Sequence, residues 1–460
     1  METALIETPD IPNAILPAWE HQKQAFWTAY QKDHFALFMD MGTGKSKVTI
    51  DLINNKPYKN ILIVCPLSVV GVWPREFEKH GTRPYQVIPL YDGSVEKKAE
   101  RAKVSLEIAK IKNSAFVCII NYESIWRPKF KEFALDTAWD LIVLDESHRI
   151  KAPGGIASRF LALLGKRSKH RMLLTGTPMP GNPGDLYAQY RFLDPSVFGT
   201  SYFRYKAWYS TPVDMYTVAW NKNQDDLSRR MYSIAYRVTK DVLDLPEAIH
   251  ESRECELSPA VMRKYRELEE EFYIQLDNGE VTTNNALTKL LRLQQIANGF
   301  VRTDDEHIVF MDDSKERVLA DFIEDVTTAE KIVVFSKFTH DLEVIQRVAE
   351  NAGRRYGEIS GARKDLTPHA TFPDEIDVMG VQIQAGGVGI DLSKARYCVY
   401  YSVGFNLGDY EQSLARVHRP GQTKNVFYLH ILAKNTVDTR IYKALKQKKK
   451  IVEAILQKEV

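Results

Sequence analysis

Five short apolar runs thread the first 180 residues: Phe35–Met39, Ile61–Cys65, Phe116–Ile120, Leu141–Leu144 and Met172–Leu174, each three to five residues long. Each stops abruptly at Asp, Pro, Asn or Thr. A run this short and uniformly apolar suits a strand buried on both faces, and such strands belong to parallel sheets covered by crossover helices. A second series repeats the pattern: Ile332–Phe335, Val378–Ile383, Tyr397–Tyr401 and Val426–His430. Two α/β lobes are therefore expected. Size agrees, because 460 residues exceed one ordinary domain of about 150 residues.

Between the two series the pattern changes. Val261, Tyr265, Leu268 and Phe272 recur at helical spacing, and Ala286–Ala297 is a second striped helix stopped by Gly299. These predict a mainly helical insertion with the inter-lobe linker over 183–310, an N-terminal lobe over 1–182 and a C-terminal lobe over 311–435. A last helix is expected over 436–460, with Thr436 as its N-cap.

Composition narrows the function. Sixty-two Lys and Arg against 60 Asp and Glu leave a net charge of +2, so phosphate binding must come from local placement rather than a basic coat. Four cysteines, Cys65, Cys118, Cys255 and Cys398, lie too far apart for a CxxC zinc site and suit a reducing compartment. The opening METALIETPD carries Glu2, Glu7 and Asp10 where a secretory signal needs positive charge. No run approaches the ~20 apolar residues of a membrane span. A soluble intracellular protein without membrane contact is expected.

Three motifs carry the chemistry. Met41-Gly42-Thr43-Gly44-Lys45-Ser46 follows the first apolar run and precedes a helical stretch, the setting a P-loop needs. Its glycines let backbone N–H groups close around phosphates, Lys45 supplies a point charge, and Ser46 can hold Mg²⁺. The first glycine of the usual pattern is missing, with Met39 in its place. Next, Leu141–Leu144 ends in Asp145-Glu146-Ser147-His148, which puts Asp145 beside a metal and lets Glu146 polarise water. Finally, Leu173-Leu174-Thr175-Gly176-Thr177-Pro178 closes another run in small hydroxyl residues. In the second half, Gln384–Asp391 forms a Gly-rich turn, and Gln412–Gln422 carries Arg416 and Arg419 three apart, on one face if helical. Two guanidiniums on one face call for an anion, and a γ-phosphate is suitable.

Taken in order, Asp40–Ser46, Asp145–His148, Leu173–Pro178 and Gln412–Gln422, with Arg237-Val-Thr-Lys240 through Pro246 and Asn435-Thr-Val-Asp438, resemble the SWI/SNF-type DNA translocases of helicase superfamily two. The resemblance runs from Leu16 to about Leu445. It implies two RecA-like parallel-sheet lobes of the P-loop NTPase type, a DNA-dependent ATPase, ATP and Mg²⁺ as cofactors, and double-stranded DNA bound without sequence preference. By the same resemblance Gln22 contacts adenine and Gly42, Thr43, Gly44, Lys45 and Ser46 bind phosphates. Ser46 and Asp145 serve the metal, Glu146 the water. Gly389 and Asp391 line the nucleotide site, and Arg416 and Arg419 act as arginine fingers from lobe two. DNA-facing positions are Ser68, Asn121, Ser124, Thr175, Thr177, Ser336, Lys337, Gly386 and Gly387, whose hydroxyls and amides grip phosphates without reading bases.

The sequence departs from the family pattern at four places. Met39 replaces the usual acidic residue, Ser147 replaces Ala or Gly, and Asp391 replaces Asn. The span from Gly361 to Ala385 is short, which predicts a loop over Arg363–Asp374 in place of a helix. Asp391 also resembles helicases proper, so a strand-separating helicase stays open as an alternative. A second alternative is an ATP-gated DNA clamp that remodels a partner without travelling. Lys446–Lys450 reads as the solvated face of the last helix, with a DNA-backbone contact as the other reading. Chromatin-acting members carry further modules, for which this length leaves no room. The resemblance therefore implies a bare monomeric motor in the cytoplasm of a bacterial or phage-infected cell rather than in a nucleus, working with a replication, recombination or repair partner.

Overall fold

The computed structural model describes residues 8–214, 218–271, 273–276, 279–283, 285–366, 370–385 and 390–456. The expectations at Phe272, Gly386, Gly387 and Gly389 fall outside them, as do Glu2 and Glu7. The chain divides into two compact units, one running to Asp244 and including Lys450 onward, the other covering Leu245–Lys449.

The first unit is built on a seven-stranded parallel sheet. Its strands are β1 (His34–Met39), β2 (Asn60–Cys65), β3 (Tyr85–Leu90), β4 (Ala115–Asn121), β5 (Leu141–Asp145), β6 (His170–Leu174) and β7 (Ala235–Val238). The spatial order is β3-β4-β2-β5-β6-β1-β7. Alternate residues along each strand feed two separate cores. Ala36, Phe38, Leu62, Val64, Ile142 and Leu144 enter one; Phe35, Leu37, Met39, Ile61, Ile63, Leu141 and Val143 enter the other. That is why the runs are apolar without alternation. The five expected strands are all present.

The second unit holds a six-stranded parallel sheet of β8 (Ala248–Cys255), β9 (Ile332–Ser336), β10 (Tyr356–Ile359), β11 (Val378–Gln382), β12 (Tyr397–Tyr400) and β13 (Val426–Ala433). Its order is β8-β13-β12-β9-β11-β10. One face packs Ile332, Val334, Val399, Leu429 and Ile431 against the helices Ser314–Asp325 and Thr339–Asn351. The other face is aromatic: the rings of Tyr400 and His430 stack at 4.7 Å and 9°.

The span 183–310, expected as a mainly helical insertion with the inter-lobe linker, is shared between the units. It holds helices, among them Asp185–Leu193, Tyr202–Tyr209, Pro259–Glu271 and Ala286–Ala297. It also supplies β7, which pairs with β1, and β8, which pairs with β13. Three antiparallel strand pairs among the described residues, Thr211–Pro212 with Val218–Ala219, Tyr273–Leu276 with Gly279–Thr282 and Phe300–Arg302 with Ile308–Phe310, lie in it too. The last helix is Val437–Leu456, and the Thr436 hydroxyl accepts from the Asp438 N–H at 3.2 Å, as an N-cap should. Among the described residues of 363–374 there is no helix, as the short spacing predicts. No described helix is long and apolar enough to cross a membrane.

Candidate functional site

In a parallel sheet every strand delivers its C-terminal end to the same edge, and in open α/β folds that edge is where ligands bind. The first unit places four of its motifs there. β1 runs into the loop Asp40–Gly44, β2 into a turn over Leu67–Val69, β5 into Glu146 and β6 into Thr175. β6 lies between β1 and β5, so Thr175 stands between the P-loop and the acidic pair.

The P-loop is shaped by Gly42 and Gly44, whose φ values of 88° and 92° fall in the left-handed region that glycine adopts freely. A Cβ on Gly44 would collide with the Gln22 amide. That amide accepts from the Trp19 N–H at 3.0 Å and donates to the Thr43 carbonyl at 3.1 Å, while the His21 ring lies 2.9 Å from the same carbonyl. Gln22, expected at adenine, is thus buried and fastens the loop to the helix Glu20–Tyr30. Lys45 begins the helix Lys45–Asn54, and its ammonium donates to the Met39 carbonyl at 2.6 Å and the Asp40 carbonyl at 3.2 Å. Met39 itself is the buried last residue of β1, so its side chain fills core, and the loop turns without the missing glycine. Asp40 is held by β7 and the residues just beyond that strand: its N–H donates to the Val238 carbonyl and its carboxylate accepts from the Lys240 N–H at 3.0 Å.

Asp145 is buried at the end of β5. Its Oδ2 accepts from the Trp73 indole at 3.1 Å and its Oδ1 from the Glu146 N–H at 3.0 Å. Its carbonyl accepts from the Tyr122 hydroxyl at 2.8 Å. Burial pushes its carboxyl well above the ordinary range, the neighbouring Glu146 charge adds to this, and Lys45 opposes it. Glu146 sits at φ 53° and ψ 53°, an uncommon backbone for a non-glycine residue and of the kind that functional sites store. Its Oε2 lies 3.4 Å from the Thr175 hydroxyl and 3.4 Å from His148 Nδ1, and His148 Nδ1 lies 3.1 Å from the Thr175 hydroxyl. Thr175 also accepts from the Thr177 N–H at 3.1 Å. Ser147 is fully buried and donates to Gln189 at 2.8 Å, and Gln189 donates onward to the Pro178 carbonyl at 2.7 Å. The serine thereby joins the acidic motif to the Thr-Gly-Thr-Pro segment.

Among the described residues no cluster of three or more His, Cys, Asp or Glu stands ready for a metal. The donor set expected from the two motifs is one carboxylate, Asp145, with the Ser46 hydroxyl. That suits Mg²⁺, which keeps several waters and takes its remaining oxygens from phosphates.

Of the expected DNA-facing residues, Ser68 is exposed in its turn. Asn121 and Ser124 are buried, and Lys98 donates to both, at 3.2 and 3.3 Å, so their side chains are tied inward. Thr175 is buried. The Thr177 Oγ1 is buried with no hydrogen-bond partner among the described residues. In the second unit Ser336 is buried and donates to the Phe338 carbonyl at 3.3 Å. Lys337 is half-buried, with its N–H on the Ser402 hydroxyl at 2.7 Å and its ammonium on Gln294; burial draws its pKa down. It borders a cavity of about 450 Å³ lined with Leu287, Leu291, Gln384 and Phe405.

Arg416 and Arg419 do not share a helical face. The helix Leu407–Val417 carries Arg416, which is buried, and ends before Arg419. A Pro-Gly pair follows Arg419, and it turns back so that its guanidinium meets the Ile390 carbonyl at 3.3 Å and the Asp391 carboxylate at 4.0 Å. The spacing of three therefore places the two residues on different elements, and Asp391 lies beside Arg419. Sequence reasoning missed Trp73, Tyr122, Gln189 and Lys98, because each contributes through a contact with a residue far along the chain.

Gly176 reads in the sequence only as part of a turn. A Cβ there would sit 3.2 Å from Asp40 Cα and from the Met39 carbonyl, so this glycine lets the Thr-Gly-Thr-Pro turn lie against the P-loop.

Comparison with known proteins places this arrangement. The SNF2-related domain matches residues 20–300, and the helicase conserved C-terminal domain matches residues 314–421. The mouse SWI/SNF-related matrix-associated actin-dependent regulator of chromatin subfamily A member 1 is 25% identical over 91% of this chain. The DNA repair and recombination protein RDH54 of Saccharomyces cerevisiae is 24% identical over 87% of it, and the ISWI chromatin-remodeling complex ATPase ISW1 of the same yeast is 24% identical over 98%. The chain spans 41%, 49% and 41% of these relatives' own lengths. A solved structure of the Sulfolobus solfataricus SWI2/SNF2 ATPase core in complex with dsDNA is 22% identical, with a TM-score of 0.46, covering 98% of this chain and 95% of that one. The SNF2-related match alone takes in more than half of the sequence, and the chain belongs to that family.

Proposed function

We propose that the chain is a DNA-dependent ATPase that couples hydrolysis of Mg-ATP to movement along double-stranded DNA. One observation carries this reading: the carboxylate of Glu146 shares hydrogen-bond contact with the hydroxyl of Thr175, on a turn packed against the P-loop. A change at that turn therefore reaches the group that acts on water. Relatives named for DNA repair and recombination and for chromatin remodelling support a DNA substrate.

When bound, Mg-ATP supplies the phosphoryl group that passes to water. Gly42, Thr43 and Gly44 present backbone N–H groups to phosphate oxygens. Lys45 exchanges its carbonyl partners for those oxygens. Ser46 and Asp145 would hold the metal, and Glu146 would orient and polarise the water. Arg416 and Arg419 are the residues we assign to countering phosphate charge. Ser68 and the Thr175–Thr177 turn take the DNA backbone, and Lys337 is assigned the same role, while the buried Ser336 hydroxyl braces the turn that carries it. Phosphate contacts of this kind are blind to sequence and weaken as salt rises. The setting we propose is the bacterial or phage-infected cytoplasm, with a replication or repair partner.

The test is ATP hydrolysis without nucleic acid and with single-stranded DNA, duplex DNA or RNA, at two salt concentrations. Stimulation chiefly by duplex, falling with salt, is expected, and displacement of a triplex strand should accompany it. Stimulation chiefly by single strands or RNA would replace this reading with a strand-separating helicase. Hydrolysis without displacement would replace it with a clamp.

A further inference from the structure

Trp73 is buried at the first position of the helix Trp73–His80, on a segment that no nucleotide or DNA role requires to be aromatic. An indole N–H shut away from water needs an acceptor. The one it takes, at 3.1 Å, is Oδ2 of Asp145, 72 residues further along the chain. The Glu146 N–H fills a site on Oδ1, so each carboxylate oxygen has one donor and keeps its remaining lone pairs in a fixed direction. Metal-binding carboxylates behave this way generally, because a donor behind the ligand sets its rotamer and limits where the cation can sit.

The other end of the same segment is the turn after β2. Cys65 ends the strand, Pro66 follows, and Leu67–Val69 forms a short turn with Leu67 and Ser68 exposed. Backbone bonds run through it without a break: Val69 to Pro66 at 2.9 Å, Val70 to Leu67 at 3.3 Å, Val72 to Val69 at 2.9 Å and Glu76 to Val72 at 3.2 Å. Val70 is fully buried between the exposed turn and the tryptophan. Ser68 and Trp73 both lie within this bonded segment, so backbone hydrogen bonds join the turn to the residue that carries the indole.

We propose that Trp73 is a positioning residue that orients Asp145 for magnesium and ties that carboxylate to the surface turn bearing Ser68, so that DNA on the turn tightens magnesium binding. The inference rests on the ATP-and-DNA reading above and adds the route between the two sites. The indole makes and breaks no covalent bond. Its contribution is to hold one oxygen pair in place, and that contribution changes when the turn is loaded.

The test measures binding of a fluorescent ATP analogue as magnesium is titrated, with and without duplex DNA. It compares the wild type with Trp73→Phe and with a chain carrying 3-benzothienylalanine at position 73, which keeps the bicyclic shape and lacks the N–H. The expected result is a half-saturating magnesium concentration raised about 10- to 100-fold in both variants. Nucleotide binding without magnesium should be unchanged. Duplex DNA should lower the half-saturating magnesium concentration of the wild type and leave that of the variants where it was. A folded variant whose magnesium titration matches the wild type, with and without DNA, overturns the proposal. If Trp73→Phe does not fold, the benzothienyl chain decides. If the wild type itself binds nucleotide without regard to magnesium, the ATPase reading fails and this proposal falls with it, an outcome marked by failure of the control.

Discussion

Lys45 bends from the first turn of its helix back over the loop, where its ammonium rests on the Met39 and Asp40 carbonyls. Carbonyl oxygens are weak partners for a cation compared with phosphate, so the exchange on nucleotide binding favours the bound state. Lys45→Ala should therefore abolish hydrolysis and weaken nucleotide binding at least tenfold with an unchanged unfolding midpoint, as read by ATPase assay and thermal melting. Full activity would end the P-loop assignment. Glu146 differs in kind: it has a strained backbone and contacts with Thr175 and His148, and the role we propose for it concerns the water rather than the phosphates. Glu146→Gln should bind ATP as the wild type does and turn it over about 10²-fold or more slowly, the scale of a lost general base. Single-turnover measurement separates the two steps, and a wild-type rate would move the role elsewhere.

Among the elements, the P-loop and the Thr-Gly-Thr-Pro turn depend on glycines for two different reasons. Gly44 needs both a left-handed backbone and empty space beside the Gln22 amide. Gly176 needs only close approach to the backbone of Met39 and Asp40. Gly44→Ala should cost on the order of 1–2 kcal/mol from strain at positive φ alone. It should also push Gln22 off the Thr43 carbonyl, so nucleotide affinity should fall even where the protein is folded. Equilibrium unfolding and nucleotide titration on the same sample check both parts, and unchanged affinity would show that Gln22 does not set the loop. The edge strands obey a different rule. Ala248–Cys255 reads Ala-Ile-His-Glu-Ser-Arg-Glu-Cys, with most residues exposed or half-buried, because it pairs on one side only and needs no continuous apolar run. Ala235–Val238 is hidden in the sequence for the same reason, although it holds the P-loop lead-in.

Across the whole molecule, stability depends on buried polar groups that the core accepts only in one protonation state. His430 lies on β13 among Tyr400, Tyr410 and Tyr442. Its Nδ1 lies 3.4 Å from the Glu251 carbonyl, which can only accept, so Nε2 accepts from the Tyr410 hydroxyl at 2.9 Å. Burial pushes its pKa down to about 3. The native state therefore keeps the ring neutral, while the unfolded chain takes a proton below about 6.5. Stability from this group is complete above that value and is lost as pH falls towards the folded value. Between about pH 6.5 and 5 the wild type should lose roughly 1.5 kcal/mol more than His430→Gln. Denaturant unfolding at the two pH values tests this, and parallel losses would mean that the ring is charged in the folded protein.

The sequence by itself determined the strand-forming runs, their parallel pairing and the order of the nucleotide motifs, because a strand buried on both faces and a glycine at positive φ each leave a local signature. It also carried the helix Ala286–Ala297 and the cap at Thr436, which depend on neighbours within a few residues. Only the tertiary structure decided which side chains meet. Trp73 finds Asp145, Lys98 draws Asn121 and Ser124 inward, Ser147 finds Gln189, and Arg419 leaves the helix of Arg416 to meet Asp391. The physical reason is that a hydrogen bond between residues far apart in the chain forms only when sheet order brings their strand ends together. Composition and spacing record what each residue needs, and the fold decides which partner supplies it.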